Sequence, residues 1–503
     1  MLNTVKRFDA DVVICGGGCA GFTAGVAAAR AGKRTILLEM RESLGGLFTN
    51  GYITGAAGCI DGLGKEFYDR LNKQGDVTVK PHQPVIEPEK GKVMMEQMLL
   101  KAGCRILYGT HVVDCEVENN RITKVIAYCK SGKIEITGKI FIDGTGDADL
   151  AFAAGVPTEI SNAEYLGLNS AATMGFRLSY VNIDKYQEAS REWMKTHHGK
   201  GKDSSNLLIA KEYEALENGD IHEILTGGFI IFDIPVGHDR TCTDVTLDAT
   251  HTFDTHGDDV VDLTRQIVDQ HNKVLEFVAF MKKYLPGYEN VVLANFAPMN
   301  GVRDSRRIVG EYILKAEDLA AARKWDDGIA QFAEPFDTHV PTPGTQTAIR
   351  HIHSKEPIEP AICRPMQDEK DKMLHPFVTP DLDTYEVRTN PREYSEIPFR
   401  SLVAIGVDNL MAVGRCYSAD FHAICATRII GTSMSMGQAA GTAAALALDE
   451  GVAALRDLDG AKVKAQLIKD GCGLDHAPDG YWKAIRESKN EPIIMADMAI
   501  LRP

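Results

Sequence analysis

The sequence predicts an α/β protein: a Rossmann-like sheet of parallel strands built from both ends of the chain, with an α+β body inserted between its two parts. Three observations carry that expectation. Asp11 to Cys15 (DVVIC) is an apolar run that leads directly into a glycine loop, a small-residue helix and a second apolar run. Leu410 to Val413 (LMAV) is a similar run near the other end, again followed by glycine. Residues from about 160 to 400 lie between them and mix strand-like, helix-like and loop-like patterns.

The first unit is the most explicit. In GGGCAG, Gly16, Gly18 and Gly21 fit G-x-G-x-x-G, and Gly25 follows. Cys19 to Ala31 is helix-compatible, Gly32 stops the helix, and Arg34 to Glu39 (RTILLE) reads as the next strand, ending in an acid. Gly16 permits the tight turn, Gly18 lets the backbone approach a pyrophosphate, and Gly21 and Gly25 let the helix lie close to the sheet. Cys19 and Ala20 fall in the first helical turn, whose free N–H groups and positive dipole end suit phosphate. Glu39, with Met40 beside it, stands where a carboxylate accepts hydrogen bonds from ribose hydroxyls. Gly45, Gly46 and Leu47 form a second glycine turn soon after the acid. That turn lets the chain follow a cofactor extending beyond its pyrophosphate, which favours FAD over NAD.

The middle of this unit also reads clearly. Met94 to Ala102 is helical in pattern. Arg105 to Tyr108, Thr110 to Glu118 and Arg121 to Tyr128 alternate like strands, with turns at Gly109 and Asn119-Asn120. Ile140 to Asp143 returns to the main sheet and ends in Gly144-Thr145-Gly146-Asp147; small residues at a strand's carboxyl edge leave room for a cofactor. After Leu410 to Val413 come Gly414 and Arg415, an arginine able to reach a phosphate bidentately. Arg428 to Gln438 (RIIGTSMSMGQ) then leads into the helix AAGTAAALALDEG, capped by Gly451. Its N-terminal approach, with Ser435 and Met436, is expected to face the cofactor, and its dipole favours negative charge on a reduced flavin.

Composition sets the outer bounds. At 503 residues the chain exceeds one ordinary core. With 44% hydrophobic and 25% charged residues it reads as an ordinary globular protein. A net charge of -15 argues against a general nucleic-acid or anionic-membrane binder. No apolar run has membrane-helix length. The 11 scattered cysteines, without CxxC, read as reduced thiols of a cytoplasmic protein. Cys416 and Cys425 are too far apart in sequence for a simple redox pair. The pairs His197-His198, His251/His256 and His351/His353 lack a recognised ligand motif, so no metal is expected.

At this point the sequence resembles the FAD-dependent oxidoreductases of the glutathione-reductase structural superfamily, and more narrowly a large bacterial family described as FAD-dependent oxidoreductases. The segments carrying the resemblance are DVVICGGGCAGFTAGVAAARAGKRTILLEMRESLGG, IFIDGTGDADLAFAAGVP, GVRDSRRIVGEYIL and NLMAVGRCYSADFHAICATRIIGTSMSMGQAAGTAAALAL. It implies a glutathione-reductase-type FAD domain in two parts, 1–160 and 401–456. Between them it implies a substrate domain at 161–400, with lid loops at 335–385; a helical appendage, 457–503, follows. It also implies that backbone groups of a valine, here Val113, meet the adenine. Two departures stand out. Cys19 occupies a place where many relatives have proline, and Arg415 replaces an acid found near the ribitol in much of the superfamily.

On the substrate side, Met174 to Ile183 reads as a strand, and Val260 to Tyr284 and Ile313 to Arg323 as helices. Arg303 and Arg306 are candidates to fix an anionic or carbonyl substrate; the competing reading pairs them with Asp304 and Glu311. His422 is a candidate proton donor or acceptor, against a purely structural histidine. Arg428 is a candidate to support an oxyanion or the flavin. The leading expectation is hydride transfer between flavin N5 and a small organic substrate, with FAD held non-covalently rather than through His or Cys. A separate electron donor or acceptor is expected, because no second G-x-G-x-x-G follows a strand, and a homo-oligomer is compatible with the chain. A monooxygenase or halogenase, an RNA-modifying flavoprotein and a non-catalytic FAD-binding protein are the alternatives.

Overall fold

The computed structural model describes residues 5–55, 58, 60–78, 84–160, 167–199, 201–204, 206–225, 230–233, 240–332, 336–338, 348–350 and 394–476. His351, His353, most of the expected lid at 335–385 and the appendage beyond residue 476 lie outside the described residues.

Five parallel strands form the central sheet, in the spatial order Leu410–Ala412, Ile140–Asp143, Val12–Cys15, Thr35–Leu38, Arg105–Leu107. Their registers pair Cys15 with Leu38 and Asp143, Asp143 with Ala412, and Leu38 with Leu107. All five carboxyl ends therefore reach one edge. The chain builds outward from Val12–Cys15 on one side, then returns to add Ile140–Asp143 on the other. The crevice between those two strands is a topological switch point, where open α/β sheets bind ligands.

Both faces of the sheet are buried, as the near-continuous apolar runs require. Strand side chains alternate between faces, so Val12, Ile14, Leu37, Ile142 and Met411 join one core with the helices Cys19–Arg30 and Ile430–Glu450. Val13, Cys15, Ile36, Leu38, Phe141 and Leu410 join a second core under a four-stranded sheet ordered Val5–Asp9, Gly132–Thr137, Arg121–Cys129, His111–Glu118. The hairpin Asn119-Asn120 has positive φ at both residues, 49° and 60°, as a type I′ turn demands.

The two helices on the first face meet at glycines. A Cβ on Gly437 would lie 1.9 Å from the Ala20 carbonyl oxygen, and one on Gly441 2.3 Å from that of Ala24. Thr23 Oγ1 also donates to the Met434 carbonyl at 2.7 Å. The second helix starts at Ile430, nine residues before the Ala439 start expected from sequence. No proline interrupts the run, and its small residues pack against Cys19–Arg30, so tertiary contact extends the helix through serine, glycine and methionine.

A second antiparallel sheet, ordered Ile230–Asp233, Thr243–Thr252, Ala172–Val181, Val292–Phe296, has its own core. Met174, Phe176, Leu178, Val245 and Leu247 pack on Val274, Phe277 and Met281 of the helix Val260–Tyr284. The opposite face meets the loop that follows the glycine pair. A Cβ on Gly175 would lie 2.1 Å from the Gly51 carbonyl oxygen, and Thr54 and Thr246 share a 2.8 Å hydroxyl bond. The helix expected over Ile313 to Arg323 is only Ala316–Ala320. Leu314 N donates instead to Ser418 O, and Ala322 turns left-handed at φ 50°, so cross-chain pairing and a turn trim both ends. After the central sheet's last strand, the helix Gly460–Lys469 buries Val463 and Leu467 in the first core.

Candidate functional site

The glycine loop is fixed by contacts that leave no room for side chains. Gly16 has φ +100°, and a Cβ there would lie 2.3 Å from the Gly144 carbonyl oxygen across the switch point. A Cβ on Gly21 would lie 1.9 Å from Gly16 O, and one on Gly25 2.6 Å from Leu99 Cδ2. Gly18 differs: nothing lies within 4 Å of its Cβ position. It is the N-cap of Cys19–Arg30 and supplies no side-chain cap, so a ligand can approach the helix N-terminus at Gly18.

A groove of about 210 Å³ opens over these residues. Gly16, Gly18, Cys19 and Ala20 line its centre; Glu39, Met40 and Val112 line it beyond the second strand. Thr145, Gly146, Gly414 and Arg415 line it at the neighbouring strand ends, and Gly45, Gly46, Leu47, Met299, Arg428, Ile430 and Ser433 line it as well. A larger surface depression, about 690 Å³, borders the helix Gly62–Gln74, but Lys65–Asp69 and Arg70–Glu66 ion pairs occupy its wall and it carries no glycine loop.

The polar groups of the groove are held by specific bonds. Glu39 is buried; its Oε2 accepts from Gly17 N at 2.7 Å and its Oε1 from Arg41 N at 2.8 Å. Burial raises its pKa, and those two N–H groups oppose the rise. Gly45 N donates to Gly17 O, which ties the glycine pair alongside the first loop, and both Gly45 and Gly46 have positive φ. Asp143, fully buried, accepts from Thr145 N, Thr145 Oγ1 and Ala151 N and so shapes the turn over Gly144-Thr145-Gly146. Asp149 also lines the groove. Burial, with Asp147 and Asp143 nearby, pushes its carboxyl up from 3.8 to about 6, against Arg306 and Arg415. Burial likewise pushes the Cys19 thiol well up, so it is a neutral packing group beside Gly45 O.

An extended dinucleotide fits this cradle. The open N-terminus at Gly18 suits phosphate, the anchored Glu39 keeps lone pairs for hydroxyls, and Arg415 Nη1 is buried without a hydrogen-bond partner among the described residues. A family model for FAD-dependent oxidoreductases matches residues 11–467. The chain belongs to that family. It is a flavin-dependent oxidoreductase, and FAD is its cofactor.

Similarity to individual proteins is partial. A thiamine thiazole synthase from Aeropyrum pernix is 30% identical over 125 residues, covering 24% of this chain and 44% of that protein. The chain thus spans under half the length of the curated relative it matches. A geranylgeranyl bacteriochlorophyll reductase-like protein from Thermoplasma acidophilum superposes with a TM-score of 0.44 at 11% identity, over 98% of this chain and 90% of that one. The flavin-dependent brominase Bmp2 superposes at 0.43 with 10% identity, over 92% and 83%.

Within this FAD-dependent oxidoreductase, several expected site residues lie elsewhere. Val112, rather than Val113, lines the groove; Val113 sits at a register shift between Val112 and Asp114, and its side chain is half exposed. Ser435 and Met436 do not line it. The early helix start puts Ile430 and Ser433 there, while Ser435 bonds Asp61 and Gly431 O and Met436 is buried in the core. Asp147 and Gly21 are not lining residues either; each supports one that is, Asp147 by accepting from Arg415 Nη2 at 2.9 Å and Gly21 by its close approach to Gly16.

Among the catalytic candidates, Arg428 lines the groove and His422, Arg303 and Arg306 do not. Arg303 Nη1 donates to Ala171 O at 2.7 Å, and its Nη2 pairs with Asp248 at 3.3 Å. Arg306 pairs with Asp149 at 2.7 Å and lies over the Phe152 ring. Neither pairs with Asp304 or Glu311 as the competing reading had it; Asp304 instead accepts from Ser170 N and Asn169 Nδ2. His422 is on the helix Phe421–Thr427, and its Nε2 is buried with no partner among the described residues. Groove residues missed from sequence include His111, Thr110 and Met299. The turn at Gly109 could have marked the first two; nothing local marks Met299.

Among the described residues, no group of three or more His, Cys, Asp or Glu is placed to hold a metal, and no helix is long and apolar enough to cross a membrane. The described cysteines are free thiols.

Proposed function

We propose that this enzyme transfers a hydride between FAD and a small organic substrate bound beside Arg428. The reading places the adenosine end near Glu39, Met40 and Val112, the diphosphate at the helix start Gly18–Ala20, and the ring near Leu47, Met299, Arg428 and Ile430–Ser433. Bound FAD supplies hydride chemistry at its N5. The observation that carries the proposal is that Arg428 and the first turn of Ile430–Glu450 line the same groove as the glycine loop. Ile429 caps that helix without a side-chain bond.

In this arrangement Arg428 offers fixed donors to a carbonyl or carboxylate oxygen of the substrate. The helix N-terminus favours negative charge at the ring edge. The second sheet and its helix serve as the substrate-side body of segment 161–400, reaching the groove through Met299 and the Arg41 Nη1 bond to Pro298 O. The redox partner is a separate donor or acceptor.

Anaerobic mixing of the holoenzyme with a metabolite panel, followed by flavin absorbance, tests the proposal. One class of small molecule should bleach or restore the oxidised band. Arg428→Met should slow that step about 100-fold or more, on the scale of losing one oxyanion donor. Flavin redox cycling that no small molecule drives would overturn the reading, as would an unchanged rate in Arg428→Met.

A further inference from the structure

Five consecutive residues, Arg303 to Arg307, each grip a different part of the chain. Arg303 holds Ala171 O and Asp248; Asp304 holds Ser170 N and Asn169. Ser305 Oγ donates to Asp147 Oδ1 at 2.5 Å, Arg306 pairs with Asp149, and Arg307 Nε donates to Ala419 O at 3.0 Å. The oxygen that accepts from Ser305 also accepts from Arg415 Nη2 at 2.9 Å. A Cβ on Gly146 would lie 2.8 Å from that nitrogen, so the guanidinium rests on bare backbone. Its other terminal nitrogen, Nη1, is buried and meets no acceptor among the described residues.

We propose that Ser305 and Asp147 are positioning residues that hold Arg415 toward the diphosphate of bound FAD. A Cβ on Gly414, the residue before Arg415, would lie 3.5 Å from the Ala20 Cβ, in the first turn of the helix that opens at Gly18. The backbone that carries Arg415 therefore starts beside a positive helix end, and the guanidinium has Asp147 Oδ1 as its ion-pair partner. An anion is the acceptor both ends select, and Arg415 lines the groove in which the diphosphate lies. The Ser305 hydroxyl and Arg415 both occupy Asp147 Oδ1, which offsets an aspartate's charge near phosphate. This pairing also makes the contact one-sided, since Nη2 is committed to Asp147, in place of the bidentate phosphate grip that the sequence suggests.

The inference rests on FAD being the cofactor, which binding of FAD by the unaltered protein tests separately. Apoprotein variants are titrated with FAD and with ADP, which carries the diphosphate and no flavin, and FAD affinity is followed against salt. Arg415→Ala should weaken FAD about 10- to 100-fold, the range for a hydrogen bond to a charged group, with a parallel loss for ADP and a flatter salt dependence. Asp147→Asn and Ser305→Ala should follow with smaller losses, of about 10-fold and about 3-fold. Ser305→Thr, which keeps the hydroxyl, should restore affinity. Circular dichroism and thermal midpoints identify any variant that fails to fold, in which case Arg415→Lys replaces it with the same expectations at reduced size. FAD loss with ADP affinity and salt slope unchanged would assign Arg415 to the flavin ring and overturn the proposal. Wild-type affinity in Arg415→Ala, or in Asp147→Asn, would overturn it too.

Discussion

The glycine loop and the Arg303–Arg307 segment both support the cofactor groove, and they do so by opposite means. The loop works by absence: missing Cβ atoms bring Gly16 against Gly144, Gly21 against Gly16 and Gly437 against Ala20 at distances no side chain tolerates. The segment works by presence: charged and hydroxyl side chains reach Asp147, Asp149, Asn169 and Asp248, all more than fifty residues away in sequence. A backbone contact has no rotamers and cannot adjust. A side-chain contact can be traded for another of similar shape and charge, at a cost set by burial. The loop is therefore the more brittle region, and the segment the more tunable.

The comparison breaks most directly at Gly21. Gly21→Ala drives a Cβ into a carbonyl oxygen, so stability should fall by about 3 kcal/mol or more, the upper range for overpacking, with loss of retained flavin. A urea midpoint equal to wild type would show that the helix can shift after all. Next comes Arg303→Met. Breaking its partly buried pair with Asp248 should cost about 2–3 kcal/mol in thermal unfolding while turnover per bound flavin holds. A stable variant with lost turnover would return Arg303 to the substrate. A subtler effect concerns pH. Folding raises the Asp149 pKa from 3.8 to about 6, so the folded state favours the protonated acid. Its contribution to stability is full below about pH 4 and is lost as pH rises to about 6. Relative to wild type, Asp149→Asn in the apoprotein should gain stability across that window and level off above it. Denaturation at pH 4, 5, 6 and 7.5 reads this directly, and a flat difference would remove the raised pKa. The smallest effect is at the adenine end. Val113→Ala should change FAD affinity and stability by under about 0.5 kcal/mol, as half-exposed positions usually do. Val112→Asp should weaken binding measured by flavin fluorescence.

Legibility followed the same division. The strand Val12–Cys15, the helix Cys19–Arg30, the long helix Val260–Tyr284 and the Asn119-Asn120 hairpin were readable because each rests on a local period or a local turn requirement. The start of Ile430–Glu450 was not, because its serines and glycines have weak propensity of their own and become helical against the first helix. The early start puts Ser433, rather than Ser435, in the groove lining. Val113 was expected to meet the adenine through its backbone; Val112, one residue earlier at a register shift, is the valine that lines the groove.

The sequence by itself determined the cofactor class and the glycine loop at the centre of the groove, since glycine spacing, a following helix and a terminal acid are consecutive in the chain and act through backbone. Tertiary structure decided what the arginines do. The charges near Arg303 to Arg307 come from Asp147, Asp149 and Asp248, brought together only when the two sheets pack. An ion pair has no period to read, so a side chain's partner is set by the fold rather than by its neighbours in sequence.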